Sequence, residues 1–292
     1  MRTIVGILFI AVLTMIPSSF SLKRIDYRES RNKNVCKYLK GDVLLYFVFV
    51  DNKESAPWTE FDIRTTLDSI ATAVKWLHKQ AAAAGIPLHI KTDYYIGKEY
   101  STVSRNLTHA TVSKTIDKLG LKKGLEELNT WGDNVAKRVG SAYVMPEKDG
   151  IPEIKNPKNK ERLVAFLRDD HAVESVALLF FLNNYFRVDI SLQVNTFDTN
   201  DIEFGIVSYK YPSEIAHNFL HLFGAADLYK TPFRKSERKI RLAKNEFPDD
   251  IMQDPYGRDI ESMFIGPLTR YLIGWTDSLD PIYTDLLTDR TY

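Results

Sequence analysis

Two histidines four residues apart, His217 and His221, lie in the stretch 213–227, Ser-Glu-Ile-Ala-His-Asn-Phe-Leu-His-Leu-Phe-Gly-Ala-Ala-Asp. Side chains at i and i+4 of a helix share one face, one turn apart, so the two imidazoles are placed to grip a single ion. The spacing predicts a helix over 212–223 that ends at Gly224, where a glycine can take positive φ and turn the chain sharply. Such a turn returns Asp227 toward the same ion as an oxygen ligand. Neutral imidazoles with one carboxylate suit Zn²⁺, and three protein ligands leave a fourth vertex open, the pattern of a catalytic rather than a structural site. A histidine on an apolar helix is more often a satisfied core residue. What sets this stretch apart is a His pair joined by Gly and Asp at matching offsets. His78, His89, His109 and His171 have no such company and are read as structural.

The elements that must position these groups follow from periodicity. Residues 42–51 form a continuous apolar run, which reads as a buried central strand. Apolar positions at helical spacing predict a helix over 60–84, stopped by Gly85. Alternation predicts a strand over 87–96. Residues 97–112 read as loop, and 111–140 as helix with a break between Gly120 and Gly124. The proline- and lysine-rich stretch 146–160 reads as surface loop, followed by a short helix over 161–169. Strands are expected over 173–182 and 204–207, the latter just before the histidine helix. The sum is one mixed α/β domain in the order strand, long helix, strand, helices, strand, strand, active helix.

The chain has 292 residues, 44% of them hydrophobic, enough for a substantial core. The net charge of +1 carries no signal for nucleic acid or a membrane surface. Met1-Arg2, an apolar run from Thr3 to Ile16, Pro17 and small residues around Phe20 together read as a secretory signal peptide over 1–21. The run is too short to span a bilayer comfortably, which takes about 20 apolar residues; an uncleaved membrane anchor is the lesser reading, and no stable membrane insertion is expected after cleavage. A secreted protein, extracellular or periplasmic, is the expectation. Residues 22–40 are polar and read as a loosely held lead-in. Cys36, the single cysteine, cannot form an internal disulfide. It reads as a buried thiol or, because zinc accepts sulfur, as a cap on the metal in a latent form.

The segment from His217 to Asp227 resembles the extended zinc signature of the metzincin metallopeptidases, His-Glu-x-x-His-x-x-Gly-x-x-His/Asp. The resemblance implies an α+β zincin-like fold over 41–292. It places an N-terminal subdomain up to about residue 224 and a smaller C-terminal subdomain after it. It implies Zn²⁺ held by His217, His221 and Asp227. It also implies a methionine turn beneath the metal, for which Met252 is the candidate and Met263 the runner-up, and a C-terminal helix within 266–275. Tyr256 stands four residues after Met252 rather than two, so it is not assigned as a metal ligand. The implied reaction is attack of water on a peptide bond, with the peptide extended along the strand at 204–207.

The same resemblance exposes a missing group. The family carries Glu after the first histidine, to take a proton from the attacking water and deliver it to the leaving amine. That position holds Asn218, whose carboxamide cannot accept the proton. Loss of a general base lowers a rate by a factor on the order of 10²–10⁴. Glu214, one turn earlier, and Glu203, on the preceding strand, are the substitutes weighed, and Glu214 reads rather as a partner of the first-turn amides. Three readings stand: a zinc protein that binds peptides without cutting them, a peptidase whose Glu has been replaced to trap substrate, or an α/β module whose His pair is merely structural.

Overall fold

The computed structural model describes residues 24–27, 36, 38–96, 103–116, 120–143, 158–183, 191–194, 202–208, 210–231, 234 and 236–290. The expected signal peptide, 1–21, lies outside them. Among the described residues no helix is long and apolar enough to cross a membrane.

The chain is a mixed α/β structure around a six-stranded sheet. Its strands are β2 (Gly41–Asp51), β3 (Leu88–Tyr95), β4 (Val103–Ser104), β5 (Ser175–Leu182), β6 (Ser191–Val194) and β7 (Phe204–Val207). The order is β3-β2-β5-β7-β6, with β4 added to β2 beyond the end of β3. The first four strands run parallel, and β6 joins the edge antiparallel, Ser191 opposite Val207. A separate two-stranded sheet pairs β1 (Arg24–Asp26) with β8 (Thr288–Arg290), the two ends of the described chain.

Burial on both faces explains why β2 and β5 read as unbroken apolar runs. Val43, Leu45, Phe47 and Phe49 of β2 and Ala177, Leu179 and Phe181 of β5 enter one core. Leu44, Tyr46, Val48 and Val50, with Val176, Leu178, Phe180 and Leu182, enter the other. The first core is covered by α1 (Glu60–Ala83) and α5 (Pro212–Leu222), which pack on each other, and by the C-terminal part of the chain. The second is covered by α2 (His109–Ile116), α3 (Leu121–Gly140) and α4 (Asn159–His171). Helix α1 starts on a capping box, Thr59 accepting from the Asp62 amide while the Asp62 carboxylate accepts from Thr59 N–H. It stops at Gly85, whose φ is +68°.

Several expectations are corrected. The 97–112 loop contains β4, and α2 already begins at His109. Gly124 is not part of a helix break but lies inside α3. A Cβ there would come within 2.9 Å of Lys114 and of the Thr115 amide, so the glycine permits close packing of α2 on α3. Helix α4 begins at Asn159, inside the stretch expected to be loop. Two further helices, α6 (Glu237–Glu246) and the short α7 (Pro267–Leu272), follow the histidine helix. The expected helix within 266–275 is α7, started by Pro267 after Gly266. The lead-in is not loosely held where it is described. Arg24–Asp26 is a paired strand, and Tyr27, Cys36 and Leu39 are buried. Leu39 donates to the Ile273 carbonyl and accepts from the Trp275 indole. The segment escapes detection because its pairing partner, β8, stands at the opposite end of the chain.

Candidate metal centre

Helix α5 starts with Pro212 at its first position and is buried from Ser213 to Leu222. A helix apolar nearly all round belongs inside a core, so His217 and His221 are placed by packing on every side. Beyond Leu222 the chain turns at Gly224, with φ +95°, as a residue without Cβ allows. The turn closes with Gly224 N–H donating to the His221 carbonyl and Ala225 N–H to the Leu220 carbonyl. It carries Asp227 back over the two rings.

The three predicted side chains converge. His221 Nε2 is 2.9 Å from His217 Nε2 and 3.1 Å from Asp227 Oδ1, and His217 Nε2 is 3.2 Å from the same oxygen. Among the described residues, this is the group of His, Cys, Asp and Glu side chains whose donor atoms come close enough for one ion. A tetrahedral ion with ligands at about 2.0–2.1 Å separates those ligands by roughly 3.3 Å, so the donor triangle fits with small outward movements.

The tautomers strengthen the fit. His217 Nδ1 faces the Ile251 carbonyl at 2.9 Å, and His221 Nδ1 faces the Ala225 carbonyl at 2.8 Å. A carbonyl only accepts, so each Nδ1 carries the hydrogen and each neutral ring turns an Nε2 lone pair inward. Two lone pairs 2.9 Å apart, with a carboxylate oxygen beside them, require a cation or a shared proton. Backbone carbonyls that fix the outer nitrogen are the usual support of metal-binding imidazoles. Electrostatics agree. Burial would raise the Asp227 pKa, but the two imidazoles outweigh it and hold the carboxyl well below the usual range. Burial, and the neighbouring His221, push His217 down. Burial also acts to lower His221, but Asp227 overcomes it and the net shift is upward.

Asn218 is buried beside this triangle, and its amide Nδ2 donates back to the Glu214 carbonyl at 2.8 Å, within its own helix. Glu214 is buried in the first turn, and its negative charge is felt at His221. Glu203 belongs elsewhere, since its charge is felt at Cys36. The Cys36 thiol donates to the Val176 carbonyl at 3.3 Å and is not part of the ligand group, which removes the sulfur cap from consideration. Burial pushes this thiol up to about 12.

Met252 is fully buried and follows the residue whose carbonyl holds His217. Its own carbonyl accepts from the Leu228 amide at 2.8 Å, one residue beyond Asp227. Met263, at the end of a 3-10 turn (Ile260–Ser262), makes neither contact and belongs to the general core. Tyr256 is half exposed and its ring stands against Tyr211. A different tyrosine, Tyr229, lies beside the histidine pair, its centroid 6.2 Å from that of His217. Its sequence signal was the Asp-x-Tyr spacing from Asp227. The other histidines have structural partners: Ile90 N–H donates to His78, Asp42 faces His89, and His171 faces Asp93.

The strand at 204–207 is not free to take up a peptide as expected, because β7 is paired on both sides. Among the described strands the sheet ends at β3 and β4 on one side and at β6 on the other, and β6 lies against both β7 and α5. No family model matches the chain, and neither curated proteins nor solved structures show a significant match.

Proposed function

We propose that this chain is a secreted, metzincin-like zinc protein in which His217, His221 and Asp227 hold the ion and a peptide is bound beside it, with hydrolysis strongly attenuated. The observation that carries the reading is the convergence of three donor atoms within 4.8 Å of one another, with both outer imidazole nitrogens committed to backbone carbonyls. The α/β sheet with one antiparallel edge strand, the turn at Gly224 and the buried Met252 are consistent with the zincin-like arrangement.

The residues of the chain have separate tasks. Among the described strands β6 is the sheet edge next to α5, and an extended peptide adding there would gain main-chain hydrogen bonds. Bound zinc would supply Lewis acidity, polarising a carbonyl and lowering the pKa of water toward about 7. Asn218 neither accepts a proton from water nor carries one to a leaving amine. Its amide is moreover turned back to the helix carbonyl of Glu214. Peptide binding is therefore retained while the proton-transfer part of the reaction is lost, a deficit of about 3–5 kcal/mol in barrier height.

Two measurements test this. Elemental analysis after dialysis against buffered zinc should give one zinc per chain, and a chain that cannot be loaded returns the His pair to a structural role. Asn218→Glu should then raise hydrolysis of a mixed peptide library by a factor on the order of 10²–10⁴. A zinc-loaded Asn218→Glu variant that cleaves nothing shows that the cleft is not built for peptide hydrolysis.

A further inference from the structure

We propose that Asp250, remote in sequence from the donor group, is the positioning residue that fixes two of the three metal ligands at once. The inference rests on the metal-binding reading above. Asp250 is fully buried between the end of α6 and the start of α7. Its Oδ1 accepts from the Met252 amide at 2.8 Å, and its Oδ2 from the Gly266 amide at 2.9 Å. The Thr269 hydroxyl lies 3.1 Å from Oδ1 and 2.9 Å from Oδ2. A Cβ on Gly266 would fall 2.5 Å from Oδ2, so the carboxylate is closely enclosed.

What this carboxylate holds is the turn at 250–252, and the turn's carbonyls hold one ligand directly and the backbone beside a second. The Ile251 carbonyl receives the Nδ1 hydrogen of His217. The Met252 carbonyl receives the Leu228 amide, next to Asp227. With its amide bound to Asp250 and the Ile251 amide bound to the Phe264 carbonyl, the turn is held from both sides. A shift here would rotate the His217 ring and move the Asp227 carboxylate together. The start of α7 serves as an anchor, since Gly266 and Thr269 tie the carboxylate to a helix that itself makes none of the site's contacts. Burial raises the pKa of Asp250, to about 6, against the donors that favour its anion, so at neutral pH it is present as the acceptor these contacts require.

The experiment compares Asp250→Asn, Thr269→Val and Gln253→Ala. Gln253 is a control because its amide braces the same turn, donating to the Ala243 and Phe247 carbonyls without touching a carbonyl that faces a ligand. Zinc affinity is read by chelator competition, site geometry by the visible spectrum of the cobalt-substituted protein, and the His217 tautomer by nitrogen NMR of the metal-free protein. Asp250→Asn should weaken zinc binding ~10–100-fold, as for loss of a supporting contact to a ligand. It should also change the cobalt spectrum and mix the His217 tautomers. Thr269→Val should weaken binding about fivefold, the equivalent of one hydrogen bond. Gln253→Ala should lower thermal stability and leave affinity and spectrum in place. Wild-type affinity and spectrum in Asp250→Asn overturn the proposal. Equal losses in Asp250→Asn and Gln253→Ala also overturn it, by showing general loosening of the turn. If Asp250→Asn does not fold, Thr269→Val decides, and unchanged affinity there overturns the proposal. A wild-type chain that binds no zinc is a different result, which removes the metal reading itself.

Discussion

Replacing His221 by alanine separates metal binding from packing, because the two consequences have different sizes and only one depends on zinc. In the metal-free chain His221 is buried, donates from Nδ1 to the Ala225 carbonyl and faces Asp227 at 3.1 Å. Truncation leaves the part-buried Asp227 carboxylate with His217 alone, which costs less than the roughly 3–5 kcal/mol of a fully buried pair broken outright. The zinc-dependent part comes on top. At a free zinc concentration of 1,000 Kd, a single site stabilises the folded state by about 4.1 kcal/mol. Losing one of three protein ligands should weaken binding at least as much as losing a supporting contact, ~100-fold. At the same free zinc the variant then stands near 10 Kd, and the increment falls to about 1.4 kcal/mol. Urea titrations with chelator-buffered zinc, with and without metal, give both numbers from one series. The wild type should gain about 4 kcal/mol from zinc and His221→Ala about 1.4, whatever the offset between the two metal-free proteins. A variant that gains as much as the wild type removes His221 from the ligand set. A wild type that gains nothing removes the site.

Two further outcomes concern groups away from the histidine pair. Cys36 should be inert to a thiol reagent at pH 8 in the native protein and release one equivalent in denaturant, since its thiol is buried and its pKa is pushed up to about 12; prompt reaction of the native chain would contradict its burial. His78 accepts a hydrogen bond from the Ile90 amide, and burial together with His89 lowers its pKa below the ordinary 6.5. The unfolded chain therefore binds the proton first, so stability falls as pH drops through about 6.5 and levels off below the depressed folded value. Urea midpoints between pH 5 and 7, taken in chelator, should show a shallower slope in His78→Gln, and identical slopes would assign the acid sensitivity to other groups.

The parts of this molecule that a linear reading recovers are those whose signal is local. Strands β2 and β5 declared themselves because both faces are covered, leaving no polar alternation. The convergence of His217, His221 and Asp227 was legible because a helix and one turn bring them together within eleven residues. The misses depend on distant partners or on composition that hides them. Helix α6 fully buries only Ala243, and apart from Ile240 and Leu242 its other residues are polar or charged, so its apolar period is faint. Strand β6 is four residues long. Its position at the sheet edge, which leaves β7 paired on both sides, depends on pairing that no local pattern encodes. Asp250 looks like one more surface acid in Pro-Asp-Asp-Ile-Met, while its neighbour Asp249 is the one that pairs with Arg258 at the surface.

The same geometry explains why an asparagine sits comfortably at position 218. Asp227 already stands nearby, part-buried and held as an anion by the two imidazoles, and the Glu214 carboxylate is near enough to act on His221. A third carboxylate in the middle of α5 would add like charge in a desolvated place, which raises a carboxyl pKa and lowers the stability of the metal-free fold. Asn218 avoids that by being neutral and by donating to a carbonyl of its own helix. A carboxylate at position 218 therefore weakens the unloaded protein. Asn218→Glu should accordingly be less stable than the wild type in chelator and recover part of the difference once a divalent cation supplies the opposing charge. A variant equally stable in chelator would mean that position 218 is open enough to water for a carboxylate to stay hydrated, contrary to its burial in the structure.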